Sequence, residues 1–159
     1  EVRGAVGMVF QNPDDQLFSA TVYEDVAFGP LHQGWGRDEV RKKVEGALRT
    51  VRMTGSEERH PFHLSGGEKK RIAIASVLSM ATGILVLDEP SAGLDPRSRR
   101  ELMPLLQELP QTMMLATHDL DLAAETTERT IVLCEGRVVM DGESGQVLRD
   151  RERLLAFGM

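Results

Sequence analysis

Two acidic residues, Asp88 and Glu89, follow directly on the run Ile84-Leu85-Val86-Leu87, and Pro90 stops that run. A continuous aliphatic run of this kind predicts a central strand of a parallel sheet. Ligands of such sheets bind beyond the carboxyl ends of the strands. There, one carboxylate can hold Mg²⁺, directly or through water, because that ion takes oxygen ligands and keeps several waters. The next can polarise a water for attack on a phosphate. The bland alternative is a pair of exposed acids in a turn, and an Asp-Glu pair taken alone favours it.

A second candidate is Leu64-Ser65-Gly66-Gly67-Glu68. Ser65 and Glu68 have the spacing of a capping box. That device does not need Gly66 and Gly67, which weaken a helix by up to ~1 kcal/mol each. Two glycines at a helix N-terminus leave backbone N–H groups open to a close anion, which the helix dipole favours. His118 lies two residues beyond the run Met113-Met114-Leu115-Ala116, in reach of a terminal phosphate at the same sheet edge. Gln11 ends its own short apolar run, Gly7-Met8-Val9-Phe10, and a neutral amide there reaches a metal or a water. Taken singly, His118 and Gln11 read more simply as structural residues.

Strands and helices alternate around these positions, which predicts an α/β fold with a largely parallel sheet. Thr21-Val22-Tyr23-Glu24 is a capping box that starts a short helix, with Gly29-Pro30 as its end. Val40, Val44, Ala47, Leu48 and Val51 have helical spacing. Arg41, Lys42, Lys43 and Glu45 then form a solvated face of that helix. The helix opened by Ser65 is apolar nearly all round through Ile72, Ile74, Val77 and Leu78, so it belongs in a core. Asp95-Pro96 and Asp119 are helix starts, and Ser144 starts a last helix. Glu135-Gly136 between two apolar runs signals a hairpin. Residues 12–63 read as a mostly helical lobe. Residues 1–11 and 64–159 read as the sheet-bearing part, with the hairpin and helix at its end.

The balance of 19 basic against 25 acidic residues gives a net charge of −6, which argues against a broad nucleic-acid-binding face. The single cysteine, Cys134, excludes an internal disulfide and points to a reducing compartment. No apolar run approaches the ~18 residues of a membrane span. The chain starts with Glu1 rather than Met and opens directly in a strand-like segment, as a piece of a longer protein would.

Gln11, Ser65-Gly66-Gly67, Asp88-Glu89, Ser91-Ala92-Gly93-Leu94-Asp95 and His118 form an ordered set. In that set the chain resembles the ATP-binding-cassette (ABC) ATPases over nearly its whole length. Gln11 matches the family's glutamine loop, and 64–68 its signature motif, although glutamine is more usual where Glu68 stands. The strand and acidic pair at 84–89 resemble the Walker B strand with the catalytic glutamate. Gly93-Leu94-Asp95 resembles the D-loop and His118 the switch histidine. A narrower resemblance, to the ATPases of energy-coupling-factor and cobalt/nickel importers, lies in residues 10–18 and 25–30.

The resemblance implies an incomplete RecA-like core with a helical subdomain. It implies ATP and Mg²⁺ as cofactors, with Glu89 and His118 catalytic and Asp88 and Gln11 at the metal. Gln11, Ser65, Gly66, Gly67, Asp88 and Asp95 would be nucleotide-binding, Ser65 and Gly67 acting on the nucleotide of an opposite ATPase subunit, identical or not. It implies a membrane-embedded subunit docked on residues 12–63, no nucleic acid, and a place on the cytoplasmic face of the cell membrane. Import of a metal ion or vitamin is the expected work.

One departure is the phosphate-binding loop, which needs Gly-x-x-x-x-Gly-Lys followed by Ser or Thr. The lysines are Lys42, Lys43, Lys69 and Lys70, and none follows a glycine, so the chain alone is expected to be inactive. By resemblance the missing strand would lie between the runs 84–87 and 113–116, leaving two facing unpaired edges that close by rearrangement or invite association. Pro104, deep in the helix that Pro96 starts, is expected to kink it. A chromosome- or repair-type ABC ATPase is disfavoured, because those separate the glutamine loop from the signature by a long coiled coil. A non-enzymatic interaction module built on the helical lobe is the other competing reading.

Overall fold

The computed structural model describes residues 2–158, with the side chains of Val2 and Arg3 excepted. The chain divides into two compact units, 1–116 and 117–159.

The first unit opens with a helical turn, α1 (Val2–Ala5), where the sequence suggests a strand; β1 begins at the next residue (Val6–Val9). Helices α2 (Val22–His32), α3 (Arg37–Thr50) and α4 (Gly66–Leu78) follow, then β2 (Ile84–Asp88), α5 (Pro96–Glu108) and β3 (Thr112–Ala116). The three strands form a parallel sheet in the order β1-β2-β3. The expected α/β class with a parallel sheet is therefore present, and the run at 84–87 is central in it.

β2 and β3 pair directly, from Ile84 opposite Thr112 to Asp88 opposite Ala116. Adjacent strands lie about 4.8 Å apart, so no strand fits between these two. No gap stands open between them: those rows of N–H and C=O groups satisfy each other, which is closure rather than two facing unpaired edges. The unpaired edges of this sheet belong to β1 and β3.

Val9, Leu85 and Leu87 fill one face of the sheet and are at most 1% exposed. Helix α4 lies so close to β1 that a Cβ on Gly7 would meet Thr82 Oγ1 at 2.8 Å and collide with Val77 Cγ1. Ile72, Ala73, Ile74, Ala75 and Val77 are all buried, as the apolar circumference of α4 requires. The opposite face carries Met8, Ile84 and Met114, all exposed.

The Thr21 capping box forms as expected, but α2 does not stop at Gly29-Pro30; it runs through Pro30 to His32. Pro30 has no N–H for the carbonyl of Val26 one turn earlier. The buried hydroxyl of Ser79 lies 2.7 Å from that oxygen and can donate to it instead. A donor from α4's C-cap thus stands in for the missing bond, and the helix continues. α5 likewise contains Pro104 without ending there.

The second unit holds α6 (Leu120–Thr126), an antiparallel hairpin of β4 (Arg129–Cys134) and β5 (Arg137–Glu143), α7 (Ser144–Val147) and α8 (Arg151–Ala156). Glu135 and Gly136 turn the hairpin with φ of 49° and 74°, the left-handed pair that a two-residue turn needs. Val132, Met140, Val147 and Leu154 form its core. In place of one last helix there are two short ones. Ser144 is the first residue of α7 rather than its cap, and its buried hydroxyl bonds those of Thr127 and Thr130. Asp150 caps α8.

Candidate functional site

β1 and β2 run in parallel with Val9 opposite Leu87, so Gln11 and the Asp88-Glu89 pair emerge at the same edge of the sheet. Asp88 is the last residue of β2 and is half-buried. Glu89, also half-buried, turns the chain out of the sheet with φ 42°, a region that costs a residue with a Cβ about 1 kcal/mol or more. Its amide donates to Ala116 O at 2.8 Å, which extends the β2–β3 ladder by one bond and pins the strained turn. Backbone strain is thus held where the acidic pair leaves the strand.

A second set of candidate residues lies at the N-terminus of α4. Ser65 Oγ accepts from the Glu68 amide and Glu68 Oε2 from the Ser65 amide, so the predicted capping box is complete. Those two bonds leave the amides of Gly66 and Gly67 without an acceptor among the described residues. Gly66 is exposed, with nothing within 4 Å of where a Cβ would stand. Gly67 is buried, and a Cβ there would lie 2.7 Å from Ser98 Cβ and collide with Ser98 Oγ. Glycine at 67 is therefore also a packing requirement, a signal that spacing alone does not carry. The Glu68 carboxylate meets Arg59 at 2.6 Å, and with the Ser65 amide this lowers its pKa to about 2. Glu68 stays ionised, with Arg59 offsetting its charge beside the open amides.

Asp95 caps α5. Its Oδ1 accepts the amides of Arg97 and Ser98, and its Oδ2 accepts Ser98 Oγ at 2.6 Å. Those bonds, Ser98's above all, hold its carboxyl below the usual range. Through Ser98, the Asp95 turn and the Gly67 helix end touch. Gln11, Asp88 and Glu89 thus form one group at the strand ends, and Ser65, Gly66, Gly67 and Asp95 a second at the starts of α4 and α5. His118 belongs to the second unit, two residues beyond β3 and next to Asp119, which caps α6.

Sequence reasoning missed Lys70. It is 1% exposed, and its ammonium donates to Gln11 O at 2.6 Å and lies 3.4 Å from Phe10 O. Burial pushes its pKa down, and the charges of Asp88 and Glu89 oppose that shift. Gln16 was missed too: it accepts the Phe10 amide and donates to Ala73 O and Ser76 Oγ of α4. The signal for Lys70 was its place: it falls on the inner face of a helix that is apolar nearly all round.

The donor set can be tested against the implied cofactors. No group of three or more His, Cys, Asp or Glu side chains among the described residues could hold a metal ion. Two carboxylates and an amide are too few for an all-protein cage. They do suit Mg²⁺, which keeps its waters and is typically held by one or two carboxylates plus substrate phosphates. The open amides at the start of α4 suit phosphate oxygens.

Comparison with known proteins gives concordant results. A sequence model of the ABC transporter family matches residues 1–92. A Gloeobacter violaceus protein named as an ABC transporter ATP-binding protein is 55% identical over 99% of this chain and 65% of its own length. The energy-coupling factor transporter ATP-binding protein EcfA of Methanocaldococcus jannaschii is 48% identical over 97% of this chain and 56% of its own. The solved structure of CbiO1 from Clostridium perfringens, part of the transporter complex cbiONQ, superposes with a TM-score of 0.86 at 42% identity. That match covers 98% of this chain and 63% of CbiO1. The chain thus spans less than two thirds of the length of these relatives.

Proposed function

The chain belongs to the ABC transporter family, and on that premise we propose that it is the C-terminal part of an ATP-binding subunit that couples ATP hydrolysis to import of a metal ion or vitamin. The observation that carries this reading is the arrival of Gln11 and Asp88-Glu89 at one sheet edge, with the Lys70 ammonium bonded to Gln11 O and within electrostatic reach of both acids. In the full-length protein, Mg²⁺ would screen the phosphate charge, with Asp88 and Gln11 as its protein ligands. Glu89 orients and polarises the attacking water; a hydrogen bond from His118 to the terminal phosphate is what the family resemblance implies. The amides of Gly66 and Gly67 and the Ser65 hydroxyl face a nucleotide held by a second ATPase subunit, and Asp95 sets the turn beside them.

The lobe at 12–63 docks the membrane-embedded subunit. A groove of about 250 Å³ supports that assignment; it is lined by Phe10, Gln16, Phe18, Phe28 and Met80, among others, with Phe18 and Phe28 exposed. An apolar groove of this shape suits a helix of a partner. No helix among the described residues is long and apolar enough to cross a membrane, which fits a subunit held at the cytoplasmic face by its partner. This chain has no phosphate-binding loop and does not hydrolyse ATP by itself.

The test is Glu89→Gln in the full-length protein. ATP binding stays within about twofold, and turnover falls by roughly 10²- to 10⁴-fold, the usual worth of a positioned general base. Wild-type turnover in that variant removes Glu89 from the mechanism. Turnover by the 159-residue chain itself removes the need for the missing loop.

A further inference from the structure

The segment that leaves β1 is fastened to α4 at three points. Lys69 Nζ meets Asp14 Oδ1 at 2.6 Å, near the surface. Gln16 donates to Ala73 O at 2.8 Å and Ser76 Oγ at 3.0 Å while accepting the Phe10 amide at 3.1 Å. Lys70 makes the third attachment from within the core, through Gln11 O at 2.6 Å and Phe10 O at 3.4 Å.

The third attachment differs in kind. Lys70 as a residue is 1% exposed, so its ammonium has little access to water. A methionine of similar length would fill the same space without that cost, and replacing buried charge by packed apolar groups is often neutral or better for stability. Lysine at 70 is therefore an expensive way to fill the core. What it adds is a charge-assisted bond, among the stronger hydrogen bonds available. That bond ends on the backbone of Gln11 itself, and the acidic pair lies within electrostatic reach. The same helix carries the open amides of Gly66 and Gly67 about one turn before Lys70.

We propose that Lys70 is a positioning residue: its buried ammonium fixes the backbone at Phe10 and Gln11, and so sets the Gln11 amide against the Asp88-Glu89 strand end. Its effect on turnover rests on the ATPase reading above; its effect on the loop does not. Through Lys70, a shift of the α4 N-terminus is carried to Gln11.

Two measurements on the full-length protein test this, with Lys70→Met and Lys70→Arg. Hydrogen exchange of the bonded amides in 10–17 rises roughly tenfold or more in Lys70→Met, as loss of one strong local bond implies. Exchange in β2 and α3 stays as in wild type. The value of kcat for ATP falls roughly 10- to 100-fold, the scale of a small misplacement, while KM moves less than threefold. Lys70→Arg keeps a buried cationic donor and recovers part of both effects. Lys70→Gln, which keeps a donor without charge, falls between Met and wild type and replaces Met if that variant does not fold. Unchanged exchange in 10–17 overturns the proposal, as does unchanged kcat in an active enzyme. A wild-type protein without ATP hydrolysis overturns the ATPase reading instead, and the exchange measurement still decides whether Lys70 holds the loop.

Discussion

Gly67 separates two accounts of the glycine pair, and substitution by alanine tells them apart. If both glycines serve only to leave amides open to an anion, Gly67→Ala leaves the fold untouched, because alanine keeps the amide. The structure says otherwise. The added Cβ would stand 2.7 Å from Ser98 Cβ and closer still to Ser98 Oγ, which is itself held by Asp95. Alanine gains up to ~1 kcal/mol of helix propensity over glycine. Forcing an extra carbon into a packed contact costs typically 1–3 kcal/mol. The clash outweighs the gain, for a net loss of up to about 2 kcal/mol. Gly66→Ala is the matched control: with nothing within 4 Å of its Cβ position, it has no clash to offset the propensity gain. Urea denaturation of the full-length protein without nucleotide reads both variants. A cycle with Ser98→Gly isolates the contact, since removing the Ser98 side chain should return about 1 kcal/mol or more of the Gly67→Ala loss as coupling. A Gly67→Ala protein as stable as wild type, or no coupling to Ser98, refutes the packing argument.

Ser79→Ala should cost about 1–3 kcal/mol, because it strips the Val26 carbonyl of a donor that Pro30 cannot replace. In a Pro30→Ala background, where the backbone can supply the bond, at least half of that cost should vanish; an equal cost in both backgrounds refutes the substitution of one donor for the other. Glu68 adds a pH dependence. Its pKa is lowered from 4.5 to about 2, chiefly by Arg59, so the stability it contributes is fully present above about pH 4.5 and fades as pH falls toward 2. The full shift would correspond to ~3 kcal/mol, and solvent screening of the partly exposed pair reduces it to about 1 kcal/mol. Arg59→Met should therefore cost about 1 kcal/mol at pH 6 and much less near pH 2, as read by denaturation midpoints; an Arg59→Met cost that stays constant with pH refutes it.

Local signals in the sequence were read correctly where the chain's own chemistry decides the outcome. The capping boxes at Thr21 and Ser65, the Asp95-Pro96 start and the Glu135-Gly136 turn all formed. The aliphatic run at 84–87 became the central strand, paired on both sides, with Leu85 and Leu87 covered and Ile84 on the exposed face. The errors lie where a distant residue intervenes. Pro30 did not end α2, because Ser79, far along the chain, covers Val26. The pairing of β2 with β3 is a tertiary choice between strands of similar composition, and no local pattern marks it. In the site, Gln11, Ser65 and the acidic pair were legible as strand and helix ends. Lys70 was not, because a lysine in an apolar helix reads as surface until its partners are known. The residues at 69 and 70 look alike in sequence, yet one reaches Asp14 near the surface and the other the core.

That difference bears on how the strand edge handles its charge. Asp88 and Glu89 are consecutive and half-buried at the end of β2. Neither acid belongs to a group of three or more metal-binding side chains among the described residues. Lys70 is a buried cation within electrostatic reach of both, and the two acids oppose the loss of its proton. One positive charge against two negative ones leaves the edge net negative. On the ATPase reading proposed above, such an edge would attract a divalent cation accompanied by phosphates without holding it in a closed cage. The same ammonium is fastened to the backbone of Gln11, so the charge near the acidic pair and the bond to the Gln11 loop belong to one side chain. A change at either end of α4 that moves Lys70 therefore alters the field at Asp88-Glu89 and the position of Gln11 together, which joins the helix start at Ser65 to the strand ends through a single side chain.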